Sequence, residues 1–323
     1  MTFLLYADEN FGLLSKINGM KNLILRFSLL TLFAFPVLAH AQQTSPTLVA
    51  TNVQPAVKTY QFKSRLMARQ MPYGVVLPAT YEIDKQRRFP VIYLLHGLGD
   101  SHQTYPREVK HDERHRFILV FVEGGTGFYT DSATNPNDKY ESYFVNELIA
   151  EVDKNFRTEA TRKGRAVFGV SMGGYGALKY GIKYPQMFAL AASGSGAVNI
   201  ASWRKVEELP PIPRLVQVIT SVFGDGKNPA PLIANDLFRL FTEFPSDKIN
   251  ELPFFYLDCG TEDELQLLKP NQRLAEIMLS RKIPHEYRHF PGGHGVMPPN
   301  QYPDLYELSE RIFAQQKATS SGK

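Results

Sequence analysis

The sequence predicts an α/β protein with a mostly parallel central sheet that helices cover on both faces. Two observations predict this class. Short, almost wholly apolar runs recur along the chain, and such runs are typical of strands buried on both faces. The segments between them carry the 3.6-residue apolar period of amphipathic helices. Strands that alternate with helices favour a parallel sheet.

The expected strands follow from the apolar runs in chain order. Alternating polar and apolar residues between Val57 and Pro78 predict antiparallel strands at a sheet edge. Buried strands are then expected at 90–97, 116–125, 165–171, 188–196 and 252–260. A last run at 285–293 has a more mixed composition, which suits an edge position.

Helices are expected between these strands. One covers 140–156, where the apolar residues that share a face are Phe144, Leu148, Ile149, Val152 and Phe156. A second follows Ser171, and a third covers 269–281. The stretch 199–250 breaks the rhythm with proline-rich and turn-rich segments, so it is either a candidate lid over a site or a loosely packed structural excursion.

The N-terminus has the pattern of an export signal. From Met20, a basic start precedes an apolar run at 27–38 that is too short to span a bilayer. Residues Ala39 to Ala41 then supply a small-x-small cleavage pattern. We therefore expect an upstream extension plus signal peptide at 1–41 and export to the periplasm or the exterior of a bacterial cell.

The remaining boundaries and the composition complete the domain organisation. We expect a disordered lead-in at 42–56, an α/β domain at 57–316 and a flexible tail at 317–323, with no membrane span in the mature chain.

The net charge is +4, and no basic run is interleaved with aromatics, so nucleic-acid binding has no support. The only cysteine, Cys259, excludes an intrachain disulfide, and its apolar neighbours predict a buried thiol.

The strongest chemical signal is the segment GVSMGG at 169–174. It follows an apolar strand and precedes a helical pattern, as a nucleophile elbow requires. Such a turn exposes the Ser171 hydroxyl at the end of its strand, and it turns the amide of Met172 towards the place where an oxyanion forms. The sequence therefore predicts that Ser171 is a nucleophile in an α/β-hydrolase fold.

A serine hydroxyl needs a general base, and His294 is the best candidate. It lies in the glycine-rich loop PGGHGV just after the last expected strand, so its imidazole can lean back over the sheet. The histidines at 102, 111 and 115 lie in a polar stretch typical of a loop or surface helix.

An acidic residue should complete a catalytic triad with the serine and the histidine, and in this fold it follows the nucleophile and precedes the base in the chain. Three acidic residues, Glu262, Asp263 and Glu264, lie in the turn after the strand that ends at Gly260. The residues themselves do not choose among these three.

The loop after the first buried strand, HGLGD at 96–100, is expected to contribute the second oxyanion amide. Leu98 is the predicted donor, and His96 is expected to brace the loop. A metal site at His111 and His115 is disfavoured, because aspartate stands where the zinc motif needs glutamate. We expect no cofactor.

These segments resemble the esterase branch of the α/β-hydrolases, which includes esterase D or S-formylglutathione hydrolase, tributyrin esterases, feruloyl esterases, enterobactin esterases and mycolyltransferases. The resemblance covers roughly residues 60–300 and rests on VIYLLHGLGD, YESYFVNELIAEVDKNF, FGVSMGGYGALKYGIKYP, LDCGTEDEL and IPHEYRHFPGGH. It implies that the nucleophile is Ser171, the acid Asp263 and the base His294. It also implies oxyanion donors at Leu98 and Met172. One departure is GGHGVMPP, where many relatives follow GGH with an acidic and an aromatic residue.

The resulting expectation is an exported serine carboxylic-ester hydrolase that acts through an acyl-enzyme. Its substrate would be a small-molecule or polysaccharide-linked ester. The alternatives are an acyltransferase that passes the acyl group to a sugar or alcohol, as mycolyltransferases do, and a binding protein without catalysis. The sequence does not assign the natural ester or the oligomeric state.

Overall fold

A sheet of eight strands forms the centre of the computed structural model, which describes residues 57–107, 116–203, 208–209, 212–294 and 301–321. The strands are β1 (Lys58–Lys63), β2 (Gln70–Val76), β3 (Val91–Leu95), β4 (Ile118–Val122), β5 (Arg165–Val170), β6 (Leu190–Gly194), β7 (Phe254–Gly260) and β8 (His285–Phe290). Their order across the sheet is β1-β2-β4-β3-β5-β6-β7-β8.

The pairing of these strands confirms the predicted fold class. β1 pairs with β2, and β2 with β4, in antiparallel fashion, whereas every pair from β4 to β8 is parallel. The antiparallel strands lie at one edge and β8 lies at the other, as the sequence predicts. The parallel strands therefore end at the same edge of the sheet, which is where ligand sites form in such folds.

Helices occupy the three expected intervals, and further helices lie within 213–243 and 301–321. They are α1 (Tyr140–Tyr143), a π-helical turn (Phe144–Leu148), α2 (Ile149–Asn155), α3 (Met172–Lys183), α4 (Pro213–Phe223), α5 (Ala230–Asn235), α6 (Leu237–Glu243), α7 (Leu268–Ser280) and α8 (Gln301–Ser321). Short 3-10 turns cover Ala79–Tyr81, Tyr105–Arg107, Arg162–Gly164 and Ser246–Glu251. Within the described ranges, no helix is both long and apolar enough to cross a bilayer.

Each face of the sheet packs its own core. In β3, Val91, Tyr93 and Leu95 belong to one apolar cluster, and Ile92 and Leu94 belong to another on the opposite face. Successive side chains of a strand point to opposite faces, so a fully apolar strand serves both cores. The first cluster contains the apolar residues of α1 to α7 and the second those of α8. Helices thus cover both faces, as predicted.

The helix expected at 140–156 is present, but it is not regular. Its five predicted core residues are all buried. Between α1 and α2, however, the chain makes a π-helical turn over Phe144–Leu148. The 3.6-residue period on which the prediction rested does not anticipate a wider turn. Such single π turns are often found near functional sites.

The insertion at 199–250 is largely helical and well packed in its described part. Ile219, Phe223, Leu232, Leu237 and Phe241 are fully buried in the larger core. The alternative of a loosely packed excursion is therefore wrong for these residues, since each buried side chain of this size contributes about 1.5–3 kcal/mol. Whether the insertion moves as a lid stays a prediction.

Most of the tail expected at 317–323 is helical, because α8 continues to Ser321, and its flexibility stays a prediction. The polar C-terminal sequence suggested disorder, but the helix is anchored upstream by buried residues such as Leu308 and Phe313. The predicted signal peptide (1–41) and lead-in (42–56) lie outside the described residues.

Candidate active site

Ser171 lies in a tight turn between β5 and α3, at the carboxyl edge of the sheet. Its φ of 55° and ψ of −114° put a non-glycine residue in a backbone region that side chains disfavour. The flanking glycines permit this turn. A Cβ on Gly169 would lie 2.2 Å from the backbone of Gly173, and one on Gly173 would lie 2.0 Å from the Leu95 carbonyl oxygen. Close packing of backbone on backbone therefore requires glycine at 169 and 173.

His294 follows β8, and its ring reaches the elbow. The distance from its Nε2 to the Ser171 Oγ is 2.9 Å. The His294 side chain is about one-fifth exposed, so the imidazole is partly open to solvent. This geometry lets Ser171 donate its hydroxyl proton to the imidazole.

Asp263 is the acidic residue that meets the other ring nitrogen. Its Oδ2 lies 2.9 Å from the His294 Nδ1, and its side chain is fully buried. Glu262 and Glu264, the two alternatives from the sequence, are exposed. An Nδ1–H that donates to Asp263 leaves Nε2 free to accept the proton of Ser171.

Further donors hold the Asp263 carboxylate in place. Its Oδ1 accepts the backbone N–H of Leu265 at 2.9 Å. The thiol of Cys259 donates weakly to Oδ2 at 3.7 Å. Burial, and then the charge of Asp263, raise the pKa of this thiol to about 12, so it stays protonated. Cys259 is fully buried in β7, as predicted.

The two predicted oxyanion donors belong to segments that lie next to Ser171. Met172 directly follows Ser171 at the start of α3. Leu98 belongs to the loop after β3, where a Cβ on Gly97 would lie 3.7 Å from the Cβ of Ser171. Among the described residues, no backbone carbonyl accepts a hydrogen bond from the N–H of Leu98 or Met172. That these two amides bind an oxyanion stays a prediction.

His96 orients the peptide that carries the Leu98 N–H. Its Nδ1 lies 2.8 Å from the Gly97 carbonyl oxygen, and its Nε2 accepts the N–H of Gly124 at 3.0 Å. Nδ1–H is therefore the donor to Gly97 O. In a trans peptide the C=O and the next N–H point in opposite directions, so this bond turns the Leu98 N–H away from His96.

A second histidine near this loop was not anticipated. His102 was expected in a loop or on a surface helix, but it is buried, and its Nδ1 lies 2.5 Å from a carboxylate oxygen of Glu123. Burial alone would raise the pKa of Glu123, yet the hydrogen bond from His102, the interactions with His96 and the N–H of Gly125 together outweigh it and hold that pKa well below its usual range. Glu123 directly follows β4 at the carboxyl edge, so the strand-end reasoning that identified the acidic turn at 262–264 could have found it too.

A buried ion pair joins α3, the helix that follows Ser171, to α1. Lys179 of α3 is fully buried, with its Nζ 2.8 Å from the Glu141 carboxylate and 2.9 Å from the Tyr129 carbonyl oxygen. Burial lowers the pKa of Lys179 to about 8. Burial would raise the pKa of Glu141, but Lys179 and Lys183 outweigh this effect and lower the pKa of Glu141 to about 2. The hydroxyl of Tyr129 donates to the carbonyl of His96 at 3.1 Å. This chain of contacts connects α3 to the loop of Leu98.

In the described part of the chain, no three His, Cys, Asp or Glu residues lie close enough together to hold a metal ion. The disfavoured pair, His111 and His115, lies outside the described residues.

Curated relatives of the chain include esterases. An esterase of Mycobacterium tuberculosis is 30% identical over 291 residues, which cover 83% of this chain and 61% of that protein. An acetyl esterase of Caldicellulosiruptor saccharolyticus is 26% identical over 259 residues, or 74% of this chain and 92% of that protein. The chain thus spans less than two thirds of the length of the mycobacterial relative.

Solved structures of esterases and related hydrolases have a similar fold. A ferulic acid esterase superposes with a TM-score of 0.64 at 24% identity, over 81% of this chain and 98% of its own. An S-formylglutathione hydrolase from Agrobacterium tumefaciens superposes with a TM-score of 0.59 at 18% identity, over 80% of this chain and 92% of its own. Identities this low establish the fold alone. The family model described as "Putative esterase" matches residues 64–298, so the chain belongs to that esterase family.

Proposed function

We propose that this chain is a serine carboxylic-ester hydrolase in which Ser171 is the nucleophile, His294 the general base and Asp263 the orienting acid. The observation that carries the proposal is the pair of 2.9 Å contacts that join the Ser171 hydroxyl to the imidazole and the imidazole to the buried carboxylate. Membership of the esterase family supports it independently.

The reaction would proceed through an acyl-enzyme. As the Ser171 Oγ bonds to the ester carbonyl carbon, its proton moves to the Nε2 of His294. The amides of Leu98 and Met172 stabilise the negative oxygen of the tetrahedral intermediate. The C–O bond to the alcohol then breaks, and the imidazolium gives its proton to the leaving oxygen. Water, activated by the same imidazole, attacks the acyl-enzyme and releases the acid.

The substrate would be a small-molecule or polysaccharide-linked ester. The relatives' names support this class, since they include an acetyl esterase and a protein that combines an endo-1,4-beta-xylanase with a feruloyl esterase. An acetyl or aryl ester is therefore the first choice for an assay.

The test compares the wild type with Ser171→Ala on p-nitrophenyl acetate and on a feruloyl ester. We expect wild-type turnover and a loss in the variant of at least about 10³-fold, because the covalent route is removed. Equal rates in the two proteins would reject the mechanism. Product analysis with added sugar or alcohol separates hydrolysis from acyl transfer, since a transferase would form a new ester in place of free acid.

The proposal includes export from the cell, which rests on the signal-peptide pattern before residue 42. Expression of the full chain in a bacterium should give a protein that starts near Gln42 and fractionates with the periplasm or the medium. N-terminal sequencing that finds residues 1–41 still attached, in a protein that stays in the cytoplasm, would reject it.

A further inference from the structure

The loop that carries the acid and the loop that carries the base are joined by backbone contacts. The N–H of Thr261 donates to the Phe290 carbonyl at 2.8 Å, and the N–H of Glu262 donates to the Gly292 carbonyl at 2.9 Å. A Cβ on Gly260 would lie only 2.3 Å from the Gly292 oxygen. These contacts hold the two loops together as far as Gly292, two residues before the base.

Beyond Gly292, the side chain of Glu264 contacts the base loop. Glu264 accepts the backbone N–H of His294 on its Oε2 at 2.8 Å. Its other oxygen lies so close to Gly293 that a Cβ there would approach it to 2.2 Å. The hydrogen bond from His294 lowers the pKa of Glu264, so this carboxylate is ionised at neutral pH.

From these contacts we infer that Glu264 is a positioning residue, whose carboxylate fixes the backbone of His294 while the neighbouring carboxylate of Asp263 fixes its ring. Two consecutive acidic residues thus hold one histidine at two points. This inference rests on the proposed role of His294 as the base.

The base needs both restraints. The Nδ1 contact with Asp263 sets the orientation of the imidazole, but it does not fix the Cα from which the side chain projects. The backbone before His294 is Gly292-Gly293, and glycine restrains a chain only weakly. A displacement of about 1 Å in a reacting group can lower a rate by about 100-fold. A carboxylate on the N–H of His294 prevents such a displacement.

A merely stabilising role is disfavoured by exposure. The Glu264 side chain lies at the surface, where charged contacts add little to the free energy of unfolding. We therefore expect its removal to change turnover and to leave the melting temperature nearly unchanged.

The experiment uses a matched pair of substitutions, Glu264→Gln and Glu264→Met. Both remove the charge and keep the length of the side chain, but only glutamine keeps an oxygen that can accept the N–H of His294. Glu262→Met is the control, because Glu262 is also exposed and contacts the base loop through its backbone N–H. The measurements are kcat and KM for p-nitrophenyl acetate, the rate of fluorophosphonate labelling of Ser171 and the melting temperature.

We expect Glu264→Met to lower kcat about tenfold or more with KM within about twofold, and to slow labelling in parallel. Glu264→Gln and Glu262→Met should stay within about threefold of the wild type. Wild-type values in Glu264→Met, or equal losses in the glutamine and methionine variants, would overturn the inference. If the wild type hydrolyses no ester, the proposed function fails, but the labelling rates of the variants still decide the role of Glu264.

Discussion

Ser171 carries a backbone strain that the surrounding residues compensate. Its N–H donates to the Gly194 carbonyl at 2.9 Å, and its own carbonyl accepts the N–H of Ala197 at 3.0 Å. These bonds run to β6 and the loop that follows it, so the sheet itself fixes the turn. Strained residues of this kind cluster at active sites, where the surrounding structure determines a conformation that the residue alone would avoid.

The sequence predicts Ser171 and His294 as site residues because the glycines around them are local signals of a sharp turn and an open loop. It could not choose among Glu262, Asp263 and Glu264, since all three are acidic and lie in the same turn. The fold distinguishes them physically: the buried carboxylate of Asp263 contacts the imidazole, whereas the side chains of Glu262 and Glu264 are exposed.

The Asp263→Asn variant tests the choice of the acid. An amide cannot take the place of a carboxylate that accepts Nδ1–H and stabilises the imidazolium, so kcat should fall by about 10³- to 10⁴-fold with little change in KM. Steady-state kinetics on p-nitrophenyl acetate measure this. The matched control is Glu262→Gln, which makes the same chemical change on the exposed neighbour and should keep wild-type turnover. A large loss in the control, with none in Asp263→Asn, would reassign the acid.

At the scale of elements, a buried polar side chain of α3 fixes this helix in addition to its apolar contacts. Lys179 connects it to α1 through Glu141 and to the loop after β4 through Tyr129. A lysine within a glycine-rich helical pattern would usually be solvated, so nothing in the local sequence revealed this contact. Glu141, at the start of the YESY segment, was equally hidden because its partners are distant in the chain.

The Lys179→Met variant should be strongly destabilised. Methionine preserves the volume but leaves the Glu141 carboxylate buried with one partner fewer, and breaking a buried pair in this way costs about 3–5 kcal/mol. Because Lys183 still contacts Glu141, we expect the lower end of that range. Urea unfolding measures the loss. The control, Lys85→Met, removes a surface pair with Glu82 and should cost about 1 kcal/mol or less. Equal losses in the two variants would contradict this account.

The sequence predicted the elements where one physical signal dominates. Strands such as β3 and β4 are apolar at every position and are recognisable without knowledge of their neighbours. The sequence did not anticipate features that distant contacts decide, such as the π-helical turn, the packing of the insertion and the continuation of α8 to Ser321. Local composition does not report these contacts.

At the scale of the whole molecule, the sheet order brings together residues that are far apart in the chain. Ser171, Asp263 and His294 follow β5, β7 and β8, which lie in the same half of the sheet and end at the same edge. The loop with the predicted oxyanion donor Leu98 follows β3, which pairs with β5 on the side away from β6. The predicted parallel sheet therefore explains the convergence of these residues, although the sequence alone supplied no distances.

The buried carboxyl of Asp258 should make the stability of the molecule depend on pH. Burial raises its pKa to about 6, although hydrogen bonds from Gln301 and Tyr256 and the charge of Arg288 oppose the shift. The folded state then binds this proton more tightly than the unfolded state. The contribution is fully present at low pH and is lost as the pH rises through about 6, and it amounts to about 3 kcal/mol at most.

Urea unfolding of the wild type and of Asp258→Asn at pH 4.5 and 7.5 tests this dependence. Asparagine cannot ionise, so the variant should gain stability relative to the wild type as the pH rises. A stability difference that is the same at both pH values would show that Asp258 does not titrate in this range.

Covalent labelling of the serine tests the central claim most directly, because it needs no knowledge of the natural ester. The protein is treated with a fluorophosphonate probe, and the adduct is located by peptide mass mapping. We predict one adduct per chain on Ser171, none in Ser171→Ala, and labelling slowed by at least about 100-fold in His294→Ala, since the serine loses its base. Labelling of Ser171 at the wild-type rate without His294, or an adduct that persists in Ser171→Ala, would contradict the account.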